Sequence, residues 1–109
     1  PLKLERLAKR AIMGLARTGS FAGNGSGDYV ISFSTAAGVR RKLGEEWTES
    51  TEVTNGGMSA LFQGTVEATE EAIYNSLLKA TTVSGMGRTA DAIEVAELVR
   101  VLEEFNVIR

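Results

Sequence analysis

The sequence has 109 residues, of which 43% are hydrophobic and 24% charged, and this composition is ordinary for one soluble globular domain with a core. Its net charge of −2 gives no general attraction to nucleic acid or membranes. Without cysteine or histidine, the chain has neither a thiol nor the usual general base, which excludes most Ser-His-Asp, Cys-His and zinc chemistry. For the same reason we expect no metal and no cofactor. No apolar run approaches a membrane span or a signal peptide, so we also expect no membrane partner and a cytoplasmic location.

The first predicted element is an amphipathic helix over residues 2–16, which Gly19 is expected to stop. Its apolar positions recur at helical spacing: Leu4, Leu7, Ala8, Ala11, Ile12 and Leu15. The opposite face is basic, with Lys3, Arg6, Lys9, Arg10 and Arg17. Such a face can bind acidic lipid or nucleic acid, but we expect the solvated outer face of a packed helix.

A glycine-rich loop over residues 19–27 leads into a predicted strand over residues 29–35, where apolar and polar side chains alternate. Ser26 and Asp28 lie at the entrance of this strand, and strand residues two apart point to the same side. A hydroxyl beside a carboxylate can orient or protonate a neighbouring nucleophile. In the structural alternative, Asp28 closes an Asx-type turn and Ser26 is an ordinary loop hydroxyl.

Residues 37–57 predict a loop or irregular hairpin, with a short strand near residues 51–54. A basic run at residues 40–42 precedes several glutamates around Trp47, and we expect these charges to be solvated. Trp47 is expected to anchor the loop rather than to contact a partner.

Two further helices are predicted after this loop. The periodicity of Phe62, Val66 and Ile73 indicates a long helix over residues 58–82, followed by a flexible turn at residues 84–88. Asp91 and Glu94 give a weak start signal of the capping-box kind for a third amphipathic helix.

The predicted order is therefore helix, strand, loop, helix, helix. A single strand cannot satisfy its own backbone N–H and C=O groups, which must pair with other strands. We expect residues 29–35 to pair with strands of another chain or of polypeptide beyond this sequence.

Three segments resemble the β-subunit of the DmpA-like aminopeptidases, also called L-aminopeptidase/D-esterases and β-peptidyl aminopeptidases. They are RLAKRAIMGLARTGS (residues 6–20), GNGSGDYVISFSTA (residues 23–36) and EATEEAIYNSLLKATTVSGMGRT (residues 67–89). The resemblance implies an α+β fold, an αββα sandwich of the N-terminal-nucleophile-hydrolase type, made by a precursor that cleaves itself into α and β chains. It also implies that residues 1–109 are a single-domain fragment, the C-terminal portion of the β-chain.

In that family a serine freed at the β-chain N-terminus attacks the substrate carbonyl, and its own α-amino group serves as general base. The resemblance places Ser26 and Asp28 as the pair that contacts and polarises this nucleophile, and Asn24 of the same loop is a third candidate. The nucleophile would lie upstream of Pro1, so this chain alone is expected to be inactive.

The partners that the resemblance implies are the α-chain and the upstream β-chain segment of the same precursor, a small peptide, amide or ester substrate, and further copies in a homo-oligomer. The alternative function is a non-catalytic binding or assembly module that keeps the helical frame and uses the basic helix face as its contact surface. Nucleic-acid binding is less well supported, because no aromatic residue is interleaved along that face.

Overall fold

The computed structural model describes residues 2–108 as three α-helices and a two-stranded antiparallel sheet. In chain order the elements are α1 (Leu2–Arg17), α2 (Met58–Leu78), β1 (Val83–Gly85), β2 (Arg88–Ala90) and α3 (Val95–Glu104). Two short 3₁₀ helices, Ala37–Val39 and Asn55–Gly57, lie in the connection between α1 and α2. The chain divides into two compact units, with the boundary between Glu70 and Glu71.

The three predicted helices are confirmed. Helix α1 is followed by Gly19 at φ +94°, the positive φ expected of a glycine that stops a helix. Helix α2 ends at Leu78, earlier than predicted, and α3 begins at Val95 without a capping box, since Glu94 makes no side-chain cap hydrogen bond. Within residues 2–108, no helix is both long and apolar enough to cross a membrane.

Helix α1 and the first half of α2 approach each other most closely at Gly14. This glycine is buried, and a Cβ atom added to it would lie 2.6 Å from the carbonyl oxygen of Val66 and 2.8 Å from Cβ of Thr69. The contact is therefore made by the backbone of α1, and glycine is the residue that allows it. One turn further along, Arg17 Nε pairs with a carboxylate oxygen of Glu70 at 2.9 Å.

The basic face of α1 contacts other parts of its own unit. The guanidinium carbons of Arg6 and Arg10 lie 4.9 Å and 4.2 Å from the centroid of the Phe62 ring, within the range of cation–π interactions. Lys3 Nζ lies 2.6 Å from a carboxylate oxygen of Glu52. The prediction of a simply solvated outer face is wrong for these three cations, which tie α1 to α2 and to the loop before it.

The described residues contain very little hydrophobic core. Among them, Ala11 and Met58 are the buried hydrophobic residues. The apolar face of α1 is only partly covered: Ala11 is buried, whereas Ile12 is 39% exposed and Leu4 and Ala8 line an open cavity. The expectation of a domain with its own core is therefore wrong for the part of the chain that the structure describes.

Residues 29–35 form no strand in the described part of the chain. Their backbone groups make no backbone–backbone hydrogen bond within residues 2–108. The predicted alternation of faces is nevertheless present, because Tyr29, Ile31 and Phe33 are 92%, 87% and 75% exposed whereas Ser32 is half-buried. The pairing of this segment with strands from elsewhere stays a prediction.

The connection between α1 and α2 is irregular, as predicted, but the strand expected near residues 51–54 is not among the described elements. The 3₁₀ helix Asn55–Gly57 follows instead, and the Gly57 N–H donates to the carbonyl oxygen of Thr54 at 3.1 Å. The expectation that Trp47 anchors this loop is wrong, since its side chain is 88% exposed.

The flexible turn predicted at residues 84–88 is a β-hairpin. Strands β1 and β2 pair with Val83 opposite Ala90. The two turn residues, Met86 and Gly87, have φ angles of +51° and +73°, the signs that a two-residue type I′ turn requires. Methionine is an unusual first residue for such a turn, which explains why the sequence pattern did not indicate a hairpin.

Replacing Gly14 by alanine is expected to lower the free energy of unfolding by about 1–3 kcal/mol, because the added methyl group overlaps the α2 backbone. The matched control is Gly64→Ala in α2, where a Cβ atom would meet nothing within 4 Å. There the higher helix propensity of alanine should stabilise by up to about 1 kcal/mol. Urea denaturation of the protein that contains this chain measures both variants, and equal effects would contradict the close approach at Gly14.

Candidate functional site

The glycine-rich loop forms a tight turn immediately before Ser26. The Ser26 N–H donates to the carbonyl oxygen of Gly23 at 2.9 Å, which closes a β-turn with Asn24 and Gly25 at its two central positions. Gly25 has φ +94°, as the third residue of a type II turn requires, and this conformation favours glycine. The turn thereby fixes the direction in which the chain leaves at Ser26.

Ser26 and Asp28 lie side by side beyond this turn. Ser26 Oγ donates a hydrogen bond to Asp28 Oδ2, and both residues are exposed. Within residues 2–108 no backbone N–H donates to the Asp28 carboxylate, so the Asx-type turn of the structural alternative is not formed. Because the serine hydrogen is directed to the carboxylate, the oxygen lone pairs of Ser26 remain available to a donor brought to this face.

Asn24, the third candidate, lies in the turn and is exposed. In the described part of the chain, no hydrogen bond joins its side chain to the Ser26–Asp28 pair. The structure therefore brings together two of the three candidate residues, Ser26 and Asp28. Asn24 lies in the turn that precedes them and makes no contact with the pair by hydrogen bonding. Among residues 2–108 no group of three acidic side chains is placed to hold a metal ion.

Two exposed aromatic side chains flank the loop, and the sequence reasoning did not select them. Phe21 is 91% exposed, and its ring comes within 3.1 Å of the position that a Cβ atom on Gly23 would take. Tyr29 is 92% exposed, and its ring lies 3.6 Å from the equivalent position on Gly27. Phe21 and Tyr29 each lie two positions from a glycine of the loop, and this spacing is the sequence signal that could have identified the two aromatic residues.

A separate open cavity of about 840 Å³ lies beside the extended segment that follows the site. Side chains of α1, of residues 30–34 and of the loop that follows line it, and neither Ser26 nor Asp28 does. Its two carboxylates are Glu5 and Glu52, and a hydrogen bond from Lys9 and from Lys3, respectively, holds the pKa of each below its usual range. The cavity is thus bounded by apolar surface, by these two paired carboxylates and by Arg41, and is distinct from the Ser26–Asp28 pair.

Comparison with solved structures identifies the class of protein to which this fold belongs. The L-aminopeptidase D-Ala-esterase/amidase of Ochrobactrum anthropi, described as a prototype for the serine aminopeptidases and a new variant among the Ntn hydrolase fold, matches with a TM-score of 0.82 and 30% identity. The match covers 97% of this chain and 30% of that one. The PH0078 protein from Pyrococcus horikoshii OT3 matches with a TM-score of 0.78 and 45% identity, over 93% of this chain and 29% of its own. The chain therefore has the fold of part of an Ntn-hydrolase-type protein, which confirms the predicted α+β class.

A model of peptidase family S58 matches residues 1–90, and the chain belongs to this family. The β-peptidyl aminopeptidase BapA of Sphingosinicella microcystinivorans is 38% identical over 107 residues, which are 97% of this chain and 27% of that relative. The resemblance to the DmpA-like aminopeptidases is thus confirmed. The chain spans about a quarter of the length of this curated relative.

The turn before Ser26 can be tested with two neighbouring glycines. Gly25→Ala is expected to lower the free energy of unfolding by about 1–2 kcal/mol, since an L-residue is strained at positive φ. Gly27→Ala is the control, because its methyl group would only touch the Tyr29 ring, and it should change stability by less than about 0.5 kcal/mol. Calorimetric unfolding measures both variants, and a neutral Gly25→Ala would show that the turn is not held in this conformation.

Proposed function

We propose that this chain is part of a self-processing serine aminopeptidase of the N-terminal-nucleophile type, which releases N-terminal residues from small peptides, amides or esters. The observation that carries the proposal is the hydrogen bond from Ser26 to Asp28 at an exposed turn in a chain of peptidase family S58. The activities named for two relatives, a β-peptidyl aminopeptidase and an aminopeptidase that is also an esterase and amidase, support this substrate class.

The nucleophile in the proposed reaction is an N-terminal serine supplied by a part of the protein outside this chain. Its hydroxyl oxygen attacks the substrate carbonyl while its own α-amine takes the hydroxyl proton. The ammonium group then returns the proton to the departing amine as an acyl-enzyme forms, and water hydrolyses this ester with the amine again acting as base. A chain without histidine, such as this one, suits a reaction in which the nucleophile carries its own base.

Ser26 is proposed to contact the nucleophile, and Asp28 to act through Ser26. Because Ser26 donates its hydrogen to Asp28, its oxygen can accept a hydrogen bond from the α-ammonium group. The negative charge of the Asp28 carboxylate favours that ammonium group and thereby raises the pKa of the amine. Asn24 offers an exposed amide on the same loop and is proposed as a further contact of the nucleophile or substrate.

The partners proposed for the chain are the α-chain and the upstream β-chain segment of the same precursor. The unpaired backbone of residues 29–35 and the open cavity beside α1 support this proposal, since both are surfaces that a further sheet layer would cover. In this proposal residues 1–109 form one domain together with those segments, as the C-terminal portion of the β-chain.

The alternative, a non-catalytic module that binds through the basic face of α1, finds less support. Arg6 and Arg10 lie over the Phe62 ring, and Lys3 is paired with Glu52. Glu52 neutralises the charge of Lys3, and the contacts with Phe62 hold the guanidinium groups of Arg6 and Arg10 against α2, so this face is less free to contact an outside partner.

In the full-length protein, Ser26→Ala is expected to slow peptide turnover or self-cleavage by about 10²-fold or more, because the hydroxyl that orients the nucleophile is lost. Initial rates with peptide p-nitroanilides and the cleaved fraction of the precursor on a gel measure these two effects. Ser59→Ala, at an exposed serine of α2, is the matched control and should retain wild-type rates. Wild-type rates in the Ser26 variant would remove this residue from the site.

Replacing Asp28 by asparagine keeps the size of the side chain but removes its charge. The pKa of the α-amine should then fall, so the acidic limb of the pH–rate profile of kcat/KM should move to lower pH, with a loss of about tenfold or more in its plateau. Asp28→Glu retains the charge and should leave the position of that limb nearly unchanged. A purely structural role for Asp28 predicts lower rates with no movement of the limb, and that outcome would contradict the proposed role.

A further inference from the structure

The ion pair between Arg17 and Glu70 lies at the end of α1 from which the site loop, defined as residues 18–28, departs. Arg17 is the last residue of α1, and its Nε lies 2.9 Å from a carboxylate oxygen of Glu70. The Glu70 side chain is 20% exposed and that of Arg17 is 54% exposed, so the pair is partly buried. The proposed reaction gives neither residue a role.

The start of the site loop is fixed to α1 by three hydrogen bonds. The N–H and the Oγ1 hydroxyl of Thr18 both donate to the carbonyl oxygen of Leu15, at 3.1 Å and 2.7 Å. The Gly19 N–H donates to the carbonyl oxygen of Ala16 at 3.1 Å. These bonds satisfy carbonyl groups that the end of a helix leaves free, so the first two residues of the loop move together with α1.

Beyond this point the loop is shaped by local contacts. The Ala22 N–H donates to Ser20 Oγ at 3.3 Å, and Ala22 has φ +48°, a left-handed conformation that is uncommon for a residue with a Cβ atom. Within residues 2–108, the hydrogen bonds of residues 20–28 join only members of that segment. In the described chain, the place of Ser26 therefore depends on these local turns and on where α1 ends.

We propose that Arg17 and Glu70 are positioning residues for Ser26. Their ion pair sets the end of α1 against α2, and the local hydrogen bonds of the loop then fix the Ser26 hydroxyl relative to α1. A displacement of about 1 Å at a reacting group can slow a reaction about 10²-fold. This inference rests on the proposed function, because it extends the role given there to Ser26.

A positioning role differs from a general contribution to folding. A partly exposed ion pair adds little to the free energy of unfolding, and the backbone contact at Gly14 holds the two helices together without it. Loss of the pair should therefore let the end of α1 shift while the protein stays folded. The expected result is slower turnover at nearly unchanged thermal stability.

A double-mutant cycle in the full-length protein tests the inference, with kcat/KM for a peptide p-nitroanilide as the measurement. Arg17→Met removes the charge but keeps an aliphatic side chain, and should lower kcat/KM about tenfold or more. In the Ser26→Ala background the same change should cost less than about twofold, because no hydroxyl is left to position. Arg100→Met, which removes an ion pair with Glu97 within α3, is the matched control and should stay within about twofold of wild type.

Exchange of the two charges is the second test. Arg17→Glu alone places two carboxylates side by side and should lower kcat/KM at least as much as Arg17→Met. Adding Glu70→Arg restores an ion pair and should return kcat/KM to within about fivefold of wild type. Circular dichroism and thermal unfolding show whether each variant folds. If Arg17→Met does not fold, Glu70→Gln takes its place in the cycle.

Equal losses from Arg17→Met in the wild-type and Ser26→Ala backgrounds would overturn the inference, because Arg17 would then not act through Ser26. Wild-type kcat/KM in Arg17→Met, or a charge exchange no faster than Arg17→Glu alone, would do the same. Each of these outcomes leaves the proposed function standing as long as Ser26→Ala is itself slow. Wild-type rates in Ser26→Ala would overturn both proposals.

Discussion

The central constraint on this structure is that the backbone N–H and C=O groups of one extended segment need hydrogen-bond partners. Residues 29–35 present backbone donors and acceptors that find no backbone partner within residues 2–108, and side chains such as Tyr29 and Phe33 are exposed along one side. Once buried, backbone groups of this kind need hydrogen-bond partners, which a sheet provides. The exposed part of the apolar face of α1, which lines the open cavity, also lacks a covering layer within the described residues. In a complete domain the apolar face of a helix is buried against another layer. A layer supplied by another part of the protein, as proposed above, would account for the near absence of a core in the described residues.

What the chain does supply by itself is the pairing of two helices, and this pairing positions the site. The backbone contact at Gly14 and the ion pair between Arg17 and Glu70 hold the last turns of α1 against α2. The site loop leaves directly from that end of α1, so the location of the turn before Ser26 depends on the helix pair. The pairing combines the backbone approach at Gly14 with cation–π contacts of Arg6 and Arg10 to the Phe62 ring, while Ala11 of α1 and Met58 of α2 are the buried hydrophobic residues of the described chain.

The helices and the Ser26–Asp28 pair could be predicted from the sequence because they depend on local spacing. A 3.6-residue period identifies a helix whatever it packs against, and two strand-like residues separated by one position lie on the same side. The type I′ hairpin was missed because Met86 adopts a positive φ that its residue type does not indicate. The exposure of Trp47 and the contacts of Arg10 were missed for another reason, since they depend on which surface lies nearby, and no single-chain pattern reports that.

The exposure of Ser26 and Asp28 connects the proposed layer with the proposed chemistry. In water an exposed carboxylate is screened, and its effect on a neighbouring amine is small. The same carboxylate acts much more strongly on the amine once surrounding protein excludes water. If the layer that pairs with residues 29–35 also brings the nucleophile to Ser26, then assembly of the sheet both satisfies the backbone and increases the influence of Asp28. Folding of the complete protein and activation of the site would then be the same event, and this would reconcile the exposure of the pair in this chain with its role in the proposed reaction.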